Sequence, residues 1–447
     1  MKKIIAMLLA LVMVFALVAC SNADDKTPDD DTTPSTSTPA ETPDEKPEET
    51  KPAEDEKPAV ELTGEPFVIG HIADLTGAEA LTGKEASNAM AFAVKYIEAN
   101  GGIGGRPIKL IEEDAKSSTP EAVNAARKLV ENDNVDCIVG PTLVPHKGAV
   151  ASFAQTAGVP VVFYNPTPAG MINEWVVGAS GTNPQMPTCT ADYIYHELGY
   201  RKVYTLTKDD TGGKSYMEPF VANFTALGGE ILDQAWVPSP TPDFMPYLNQ
   251  FTDPEADCLV AWTSASDAIN LWRAWYDLGL NEKLPIVANM HGAFTDSFIC
   301  DALEKINPDL VEEILGTISV MTWAYNIDSP ENNAYVAAWQ ENFKGTEYEG
   351  YPIGNNIPGA AVQVLMLIDA AVEALDAESK ELTHENLRDA LLAADITGPE
   401  GRTVFEGSNG ATKDVYIVKV IRMENGQYNY EMVKTYKDVP PTGLAVG

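Results

Sequence analysis

The sequence predicts an α/β protein built as two lobes, each a mostly parallel sheet with helices packed against it. Two observations lead to this fold class. From Phe67 onward, short β-branched runs alternate with amphipathic helical segments, and strands joined by helices form parallel sheets. The alternation then restarts after residues 181–184. Of the 447 residues 45% are apolar, which is enough for the core of a large globular protein.

The first run opens with a buried strand at 67–72, followed by a helix whose apolar residues keep helical spacing as far as Ile97. Gly101 and Gly102 end this helix, because glycine readily takes the left-handed conformation found after helices. The remaining elements predicted in this run are strands at 107–112, 135–140 and 159–163, a helix capped by Thr119 with Pro120 at its first position, and a helix near 147–157.

The second run has five recognisable strands with helices between them, at 202–207, 230–237, 257–262, 284–288 and 317–321. Two long helices then follow at 358–375 and 383–394. The chain closes with strand-like runs at 414–424 and 428–434, and Asn425-Gly426 between them predicts a hairpin turn. A tail that returns to both lobes implies several crossings between them.

The first 20 residues have the order of an export signal: Lys2 and Lys3, then an apolar run from residue 4 to 19. Leu17-Val18-Ala19-Cys20 resembles a bacterial lipobox. That resemblance implies cleavage before Cys20 and attachment of a diacylglycerol to its thiol. The alternative is an ordinary signal peptide in which Cys20 is incidental.

Residues 21–64 contain seven Pro, eight Thr, fourteen Asp or Glu and four Lys, with almost no large apolar side chains. Such a segment cannot bury enough apolar surface to offset its ordering entropy, so we expect a disordered tether. The tether carries a charge of −10 out of a total of −36. Residues 65–447 still carry −28, which makes nucleic acid an unlikely partner because its phosphates require Lys and Arg. Anionic membrane surfaces are disfavoured for the same reason.

None of the enzyme or cofactor motifs tested is complete. The glycines at 101–105 follow a helix and precede a strand, the reverse of a dinucleotide-binding loop. The segment 212–215 lacks the leading glycine of a phosphate-binding loop, and Asp210-Thr211-Gly212 has no second copy to form a protease dyad. Cysteines and histidines have no zinc spacing. We therefore expect no catalytic residue, metal or cofactor.

Polar and aromatic residues instead follow the predicted strands of both runs. Open α/β sheets bind ligands at the carboxyl ends of their strands, where hydroxyls and helix N-termini suit a carboxylate. Any one of these loops is as easily a helix cap as a ligand contact, so the indication comes from their shared position. The loops lie at 74–77, 140–143, 164–167, 208–211, 262–265 and 289–292.

Seven segments follow one another along the chain: IGHIADLTG at 69–77, EANGGIGGR at 98–106, AARKL at 125–129, VGP at 139–141, TKDDTG at 207–212, AVQVL at 361–365 and TGPEG at 397–401. In their order and spacing they resemble the type I periplasmic binding proteins of the branched-chain amino acid (Leu/Ile/Val-binding) group. The resemblance implies two Rossmann-like lobes joined by a three-crossover hinge, closing on a small ligand for delivery to an ABC importer. It places lobe I at 65–184 and 323–402, and lobe II at 185–322 and 403–440.

Carried over by position, the resemblance implies ligand contacts from both lobes, with Tyr164 and Trp262 as aromatic walls. Lobe I would supply Thr76, Thr142, Leu143, Val144, Tyr164, Asn165 and Thr167, and lobe II would supply Thr211, Trp262, Thr263 and His291.

Two departures from the family pattern bear on the ligand. Thr142 is followed by Leu143-Val144-Pro145 rather than by a further hydroxyl, and Asn289-Met290-His291 lacks the acidic residue that holds an α-ammonium. A buried ammonium without a partner is costly. The ligand is therefore either less zwitterionic, such as an aromatic or aliphatic carboxylate or an amide, or an amino acid whose charge is met by Asp209, Asp210 or Asp267.

The resulting functional hypothesis is a lipid-anchored solute-binding receptor outside the cytoplasmic membrane. It would bind a branched-chain or other amino acid, an amide or a carboxylate, and its partners would be that ligand and the permease subunits of an ABC importer. A ligand-sensing ectodomain coupled to a membrane signalling protein is the alternative. The expected absence of a transmembrane segment after Cys20 favours import.

Overall fold

The computed structural model describes residues 61–288, 297–346 and 357–445. The first sheet within them consists of parallel strands in the order β2-β1-β3-β4-β5. The predicted signal peptide, Cys20, most of the tether and His291 lie outside the described residues. The strands are β1 Phe67–Ala73, β2 Ile108–Asp114, β3 Cys137–Val139, β4 Val161–Phe163 and β5 Val176–Gly178.

The second sheet has the order β14-β13-β10-β9-β8-β6-β7 in the described part of the chain. Strands β6 to β10 are mutually parallel, whereas β13 runs antiparallel to β10 and to β14. The strands are β6 Lys202–Lys208, β7 Glu230–Val237, β8 Cys258–Trp262, β9 Ile286–Ala288, β10 Ile318–Met321, β13 Lys413–Arg422 and β14 Tyr428–Val439; a separate ribbon pairs β11 Asp395–Gly398 with β12 Gly401–Val404.

The predicted strands and the closing hairpin are confirmed, with bounds that shift by a few residues. Gly426 in the hairpin turn has φ of +85°, which explains the Asn-Gly pair there. Strands β5, β11 and β12 have no counterpart among the strands that the sequence predicts. Ordered contacts also begin before residue 65, because Thr63 donates its backbone N–H to the carbonyl of Gly105 over 2.9 Å.

Helices cover both sheets. Helix α3 begins three residues earlier than predicted, at Val144 with Pro145 in its first turn. Helix α11 is apolar and long enough to span a membrane, but most of it is buried inside the protein. The helices are α1 Ala80–Ala99, α2 Thr119–Glu131, α3 Val144–Ala157, α4 Gln185–His196, α5 Thr211–Ala226, α6 Met245–Leu248, α7 Ala265–Asp277, α8 Ser297–Ile306, α9 Pro308–Ile314, α10 Pro330–Asn342, α11 Ile357–Ala377 and α12 His384–Ala393.

The chain passes between the two sheets three times. It leaves the first sheet after β5 and enters α4, and it leaves the second sheet after β10. Helices α10 to α12 then pack on the side of the first sheet, where α11 lies against α1. The third passage leads from β12 to β13. The crossings therefore lie at 179–184, 322–329 and 405–412.

A buried ion pair joins these crossings. The Nζ of Lys413 lies 3.3 Å from Oε2 of Glu400, and both side chains are 0% exposed. Ser180 from the first crossing donates to Oε2 of Glu400 over 2.8 Å, and Thr322 from the second donates to Oε1 over 3.5 Å. Burial raises the pKa of Glu400, while the charge of Lys413 and the hydrogen bonds to this carboxylate oppose that rise. We call Glu400 and Lys413 the hinge pair.

We expect Lys413→Met to lower the free energy of unfolding by about 3–5 kcal/mol, because it leaves the Glu400 carboxylate buried without a countercharge. Lys419→Met is the matched control on the same strand: Lys419 pairs with Glu431 over 2.9 Å, with side chains 38% and 53% exposed, and should cost less than about 1 kcal/mol. Urea denaturation followed by circular dichroism measures both. Equal losses would contradict the role of the hinge pair, and adding Glu400→Leu to Lys413→Met should restore most of the loss.

Candidate functional site

Residues that follow strands of the first sheet lie close to residues that follow strands of the second. We call the region around Asp74, Glu79, Val144, Lys208 and Trp262 the cleft. The lobes are in contact there. A methyl group added at Gly212, in the first turn of α5, would lie 3.1 Å from Cη2 of Trp262 and 3.6 Å from Cβ of Val144 on α3. The Nζ of Lys208 lies 4.0 Å from Oε1 of Glu79, so an ion pair also spans the cleft.

Buried polar atoms without hydrogen-bond partners concentrate at this edge of the sheets. Ten such side-chain atoms occur in the described residues. Four belong to residues at or just after the carboxyl ends of strands β1, β4, β6 and β8, and a fifth belongs to the first turn of α3, the helix that follows β3. Buried polar groups are usually satisfied, so these five exceptions, on both lobes, require an explanation. They are Asp74 Oδ2, His146 Nδ1, Asn165 Oδ1, Thr207 Oγ1 and Trp262 Nε1.

Three of the residues predicted from the sequence come together in the first lobe. The Tyr164 hydroxyl lies 2.8 Å from Oγ1 of Thr142, and Asn165 donates through Nδ2 to the Thr142 carbonyl over 3.0 Å. Tyr164 is only 1% exposed. In this state its ring therefore presents almost no face to the cleft, and its hydroxyl orients Thr142 instead.

Trp262 is the aromatic residue of the second lobe at the cleft. It is 8% exposed, and its ring centroid lies 5.0 Å from that of Tyr216. The ammonium of Lys208 lies 5.7 Å from the centre of its ring, within the range of a cation–π interaction. Thr263, next in the chain, is buried and donates to the neighbouring Ser264 carbonyl over 3.2 Å.

The structure also shows where the other predicted ligand contacts lie. Thr76 donates through Oγ1 to Oδ2 of Asp114 over 2.6 Å, so its hydroxyl is already engaged. Thr167 is fully buried and accepts from Lys147 over 3.2 Å. Thr211 is exposed as the first residue of α5, and Leu143 is half-buried beside Val144.

Sequence reasoning missed Lys147, which supports the loop carrying Tyr164 and Asn165. Its ammonium is fully buried and donates to the carbonyls of Asn165 and Pro166, each over 2.9 Å. It also lies 5.0 Å from the ring centre of Phe163. Burial holds the pKa of Lys147 well below its ordinary value. The sequence pattern starts α3 near residue 147, whereas the helix begins at Val144. The correct helix start would have been the signal for Lys147.

The acidic groups proposed to meet an ammonium are already engaged. Asp267 accepts from Ser239 Oγ over 2.7 Å and from the Thr241 N–H over 2.8 Å. Asp210 caps α5 through the Gly213 N–H and lies 3.3 Å from Lys208, and Asp209 pairs with Lys214 over 3.0 Å.

Asp74 and Glu79 are acidic groups that can accept further hydrogen bonds. Asp74 is 1% exposed; its Oδ1 accepts from the Ser117 N–H over 2.9 Å and lies 3.3 Å from His146 Nδ1 without hydrogen-bond geometry. Burial raises the pKa of Glu79, against the opposing charge of Lys208. The lobe I side of the cleft can therefore accept hydrogen bonds from a ligand. Among the described residues no group of three or more acidic, His or Cys side chains is arranged to hold a metal ion.

Comparison with known proteins agrees with this architecture. A family model described as periplasmic binding protein matches residues 66–427. The Leu/Ile/Val-binding protein homolog 6 of Brucella melitensis biotype 1 is 25% identical over 382 residues, which cover 84% of this chain and 93% of the relative.

Solved structures show the same fold. An ABC transporter substrate-binding protein from Sphaerobacter thermophilus has a TM-score of 0.72 and 27% identity, covering 84% of this chain and 99% of that one. A solute-binding protein of an ABC transporter from Rhodopseudomonas palustris HaA2, in complex with p-hydroxybenzoic acid, has a TM-score of 0.73 and 24% identity, covering 85% of this chain and 100% of that one.

Two sheets joined by three crossings, with a polar cleft at their carboxyl ends, define a bilobal binding protein rather than a pair of independent domains. The chain belongs to the periplasmic binding protein family and has its type I fold. The expectations drawn from the resemblance are confirmed for the family and for the fold.

We expect Gly212→Ala to destabilise the protein by about 1–3 kcal/mol, because its methyl group would lie 3.0 Å from Oδ1 of Asp210 and 3.1 Å from Cη2 of Trp262, closer than ordinary packing allows. Urea denaturation measures the loss. Gly170→Ala is the control, since nothing lies within 4 Å of a methyl group there. In a Trp262→Phe background, which shortens the ring, Gly212→Ala should cost less. If Gly212→Ala were as mild as Gly170→Ala, the close packing of the start of α5 against Trp262 would be contradicted.

Proposed function

We propose that this protein is an extracytoplasmic solute-binding receptor that captures a small ligand between its lobes and delivers it to an ABC importer. The observation that carries the proposal is the set of five unpartnered buried atoms, contributed by both lobes at one edge of the two sheets. It binds its ligand without converting it. The names of similar proteins, Leu/Ile/Val-binding protein and ABC transporter substrate-binding protein, support this function.

Capture would occur by rotation of the lobes about the three crossings. The moving bodies in this proposal are residues 65–184 with 323–402, and residues 185–322 with 403–440. The hinge pair supports such a rotation, since it lies buried where the crossings meet. The Glu79–Lys208 ion pair, with side chains 19% and 13% exposed, would form as the cleft closes.

The ligand we propose has an apolar body, a carboxylate or amide end and a hydrogen-bond donor. Lys208, Thr142 and the backbone N–H groups at the start of α5 would hold the acidic end, as helix N-termini attract anions. Trp262 would pack against the body. The unpartnered Oδ2 of Asp74 would accept the donor, which is an ammonium in an amino acid and a hydroxyl in a hydroxybenzoate.

The N-terminal segment would hold the receptor at the outer face of the cytoplasmic membrane. In this proposal Cys20 carries the lipid and residues 21–64 act as the tether. A flexible coil of 44 residues spans roughly 35–40 Å, which would allow the receptor to reach the permease subunits without leaving the membrane.

A thermal-shift screen of the full chain against amino acids, amides, aromatic acids and short peptides tests the ligand class. A ligand present at one hundred times its Kd should stabilise the folded state by about 2.7 kcal/mol and raise the melting temperature. Trp262→Ala should remove most of the shift, whereas Trp339→Ala, on α10 and outside the cleft, should retain it. If no compound in these classes raises the melting temperature, the proposed function is wrong.

Cys20→Ser should release the protein from the membrane, because in this proposal the lipid on Cys20 is the anchor. Fractionation of cells expressing the native chain and the variant, with metabolic labelling by a radioactive fatty acid, measures this. Ser21→Ala next to it is the control and should remain labelled and membrane-bound. Labelling of the Cys20→Ser variant would contradict the anchor.

A further inference from the structure

A continuous chain of polar contacts runs through the first lobe and ends at Thr142. Ser87 donates through Oγ to Oε1 of Glu112 over 2.8 Å. The other carboxylate oxygen of Glu112 lies 2.7 Å from Nδ1 of His71, and Nε2 of His71 lies 3.2 Å from the Tyr164 hydroxyl. That hydroxyl lies 2.8 Å from Oγ1 of Thr142. We call the path from Glu112 to Thr142 the relay.

The fold brings the relay together from distant parts of the sequence. His71 on β1 and Glu112 on β2 are direct register partners in neighbouring parallel strands. His71 is 0% exposed, Tyr164 1% and Thr142 6%, whereas the Glu112 side chain is 25% exposed. The relay therefore connects a water-accessible carboxylate to a hydroxyl at the edge of the cleft.

The charge of Glu112 fixes the direction of its hydrogen bond with His71. Burial by itself would raise the pKa of Glu112, but the hydrogen bond and charge of His71 and the hydrogen bond from Ser87 outweigh it, so the pKa lies below its ordinary value. Glu112 is therefore a carboxylate at neutral pH and accepts the Nδ1 proton of His71.

When His71 is neutral, the hydroxyl proton of Thr142 is used within the relay and cannot be donated to a ligand. With Nδ1–H bonded to Glu112, Nε2 has a lone pair and accepts from the Tyr164 hydroxyl. The Tyr164 oxygen in turn accepts from the Thr142 hydroxyl. Thr142 offers the cleft only its oxygen lone pairs, which repel a carboxylate.

One proton taken up at Nε2 of His71 reverses the two hydrogen bonds between His71 and Thr142, while Nδ1–H stays bonded to Glu112. Nε2–H now donates to the Tyr164 oxygen, and the Tyr164 hydroxyl donates to Oγ1 of Thr142. The Thr142 hydroxyl proton is then free to donate into the cleft. The net change is one proton on His71 and one donor gained at the end of the relay.

We propose that His71 is a positioning residue which sets, through Tyr164, whether Thr142 donates to or repels an anionic ligand, so that protonation of His71 favours carboxylates. The inference rests on the proposed function, because it takes Thr142 as a ligand contact. It adds the class of ligand, an anion, and a coupling between ligand and proton binding.

The charged groups around the relay have one sign. Glu112 faces His71 from β2, with Asp114 further along that strand. The charges of Asp74, Glu112 and Glu85 act on Tyr164 and raise its pKa, on top of the larger effect of burial. From β3 the register partner of His71 is Val139, which has no charge.

The test is calorimetric titration of the full chain with benzoate and with leucine between about pH 5.5 and 8.5, the range in which imidazoles change charge. Benzamide, the neutral counterpart of benzoate, is the ligand control. A hydrogen bond gained to a charged group predicts a Kd that falls about ten- to hundredfold toward the acidic end. Proton uptake should accompany carboxylate binding at the alkaline end, and benzamide should show neither effect.

Variants separate the relay from other titrating groups. Tyr164→Phe removes the linking hydroxyl, so carboxylate binding should lose its pH dependence, and His71→Gln should do the same. His384→Gln, on α12 and bonded to the Val135 carbonyl over 3.1 Å, should retain it. Thermal unfolding of each variant verifies that it is folded.

A pH dependence that survives in Tyr164→Phe, or that disappears in His384→Gln, would overturn the proposal. Nitrogen NMR of labelled histidines provides a readout that needs no ligand: the His71 signals should titrate together with the Tyr164 ring, and an untitrated His71 would also overturn it. If no carboxylate or amide binds while the NMR titration is as expected, the proposed function fails and the relay stands.

Discussion

The buried ion pair between Glu400 and Lys413 is the interaction on which the two-lobed arrangement depends. Removing two charges from water is costly, and only close contact with further hydrogen bonds offsets that cost. Here those bonds come from Ser180 and Thr322, one on each of the other two crossings. The three crossings can therefore separate only by exposing a buried charge, which holds them together.

The hinge fixes which surfaces meet. Because parallel strands in each sheet end at the same edge, joining the sheets at that side places two sets of strand ends and helix starts opposite each other. Small residues allow the approach: Gly212 lies where any side chain would contact Trp262 and Val144. The polar atoms left unpartnered there lower the stability of the unliganded protein, and that same deficit provides the free energy for binding a ligand with complementary groups.

The two lobes contribute differently to the cleft. In the first lobe the polar groups form a buried network. Lys147 donates to the 165–167 loop, and the Tyr164 hydroxyl contacts both His71 and Thr142. In the second lobe the ammonium of Lys208 lies 5.7 Å from the ring centre of Trp262, which is 8% exposed. Under the proposed function, the first lobe would mainly orient the ligand and the second would cover it.

The sequence by itself determined the strand and helix alternation, the closing hairpin and the family, because periodicity and turn residues act locally. It also identified Thr142, Tyr164 and Trp262 as residues at strand ends. Only the tertiary structure decided what those residues do. Tyr164 reads as an exposed aromatic wall in the sequence, yet packing buries it against His71, 93 positions away. Likewise Lys413 and Glu400 look like ordinary surface charges until the crossings enclose them, since burial and partners depend on contacts that no local pattern encodes.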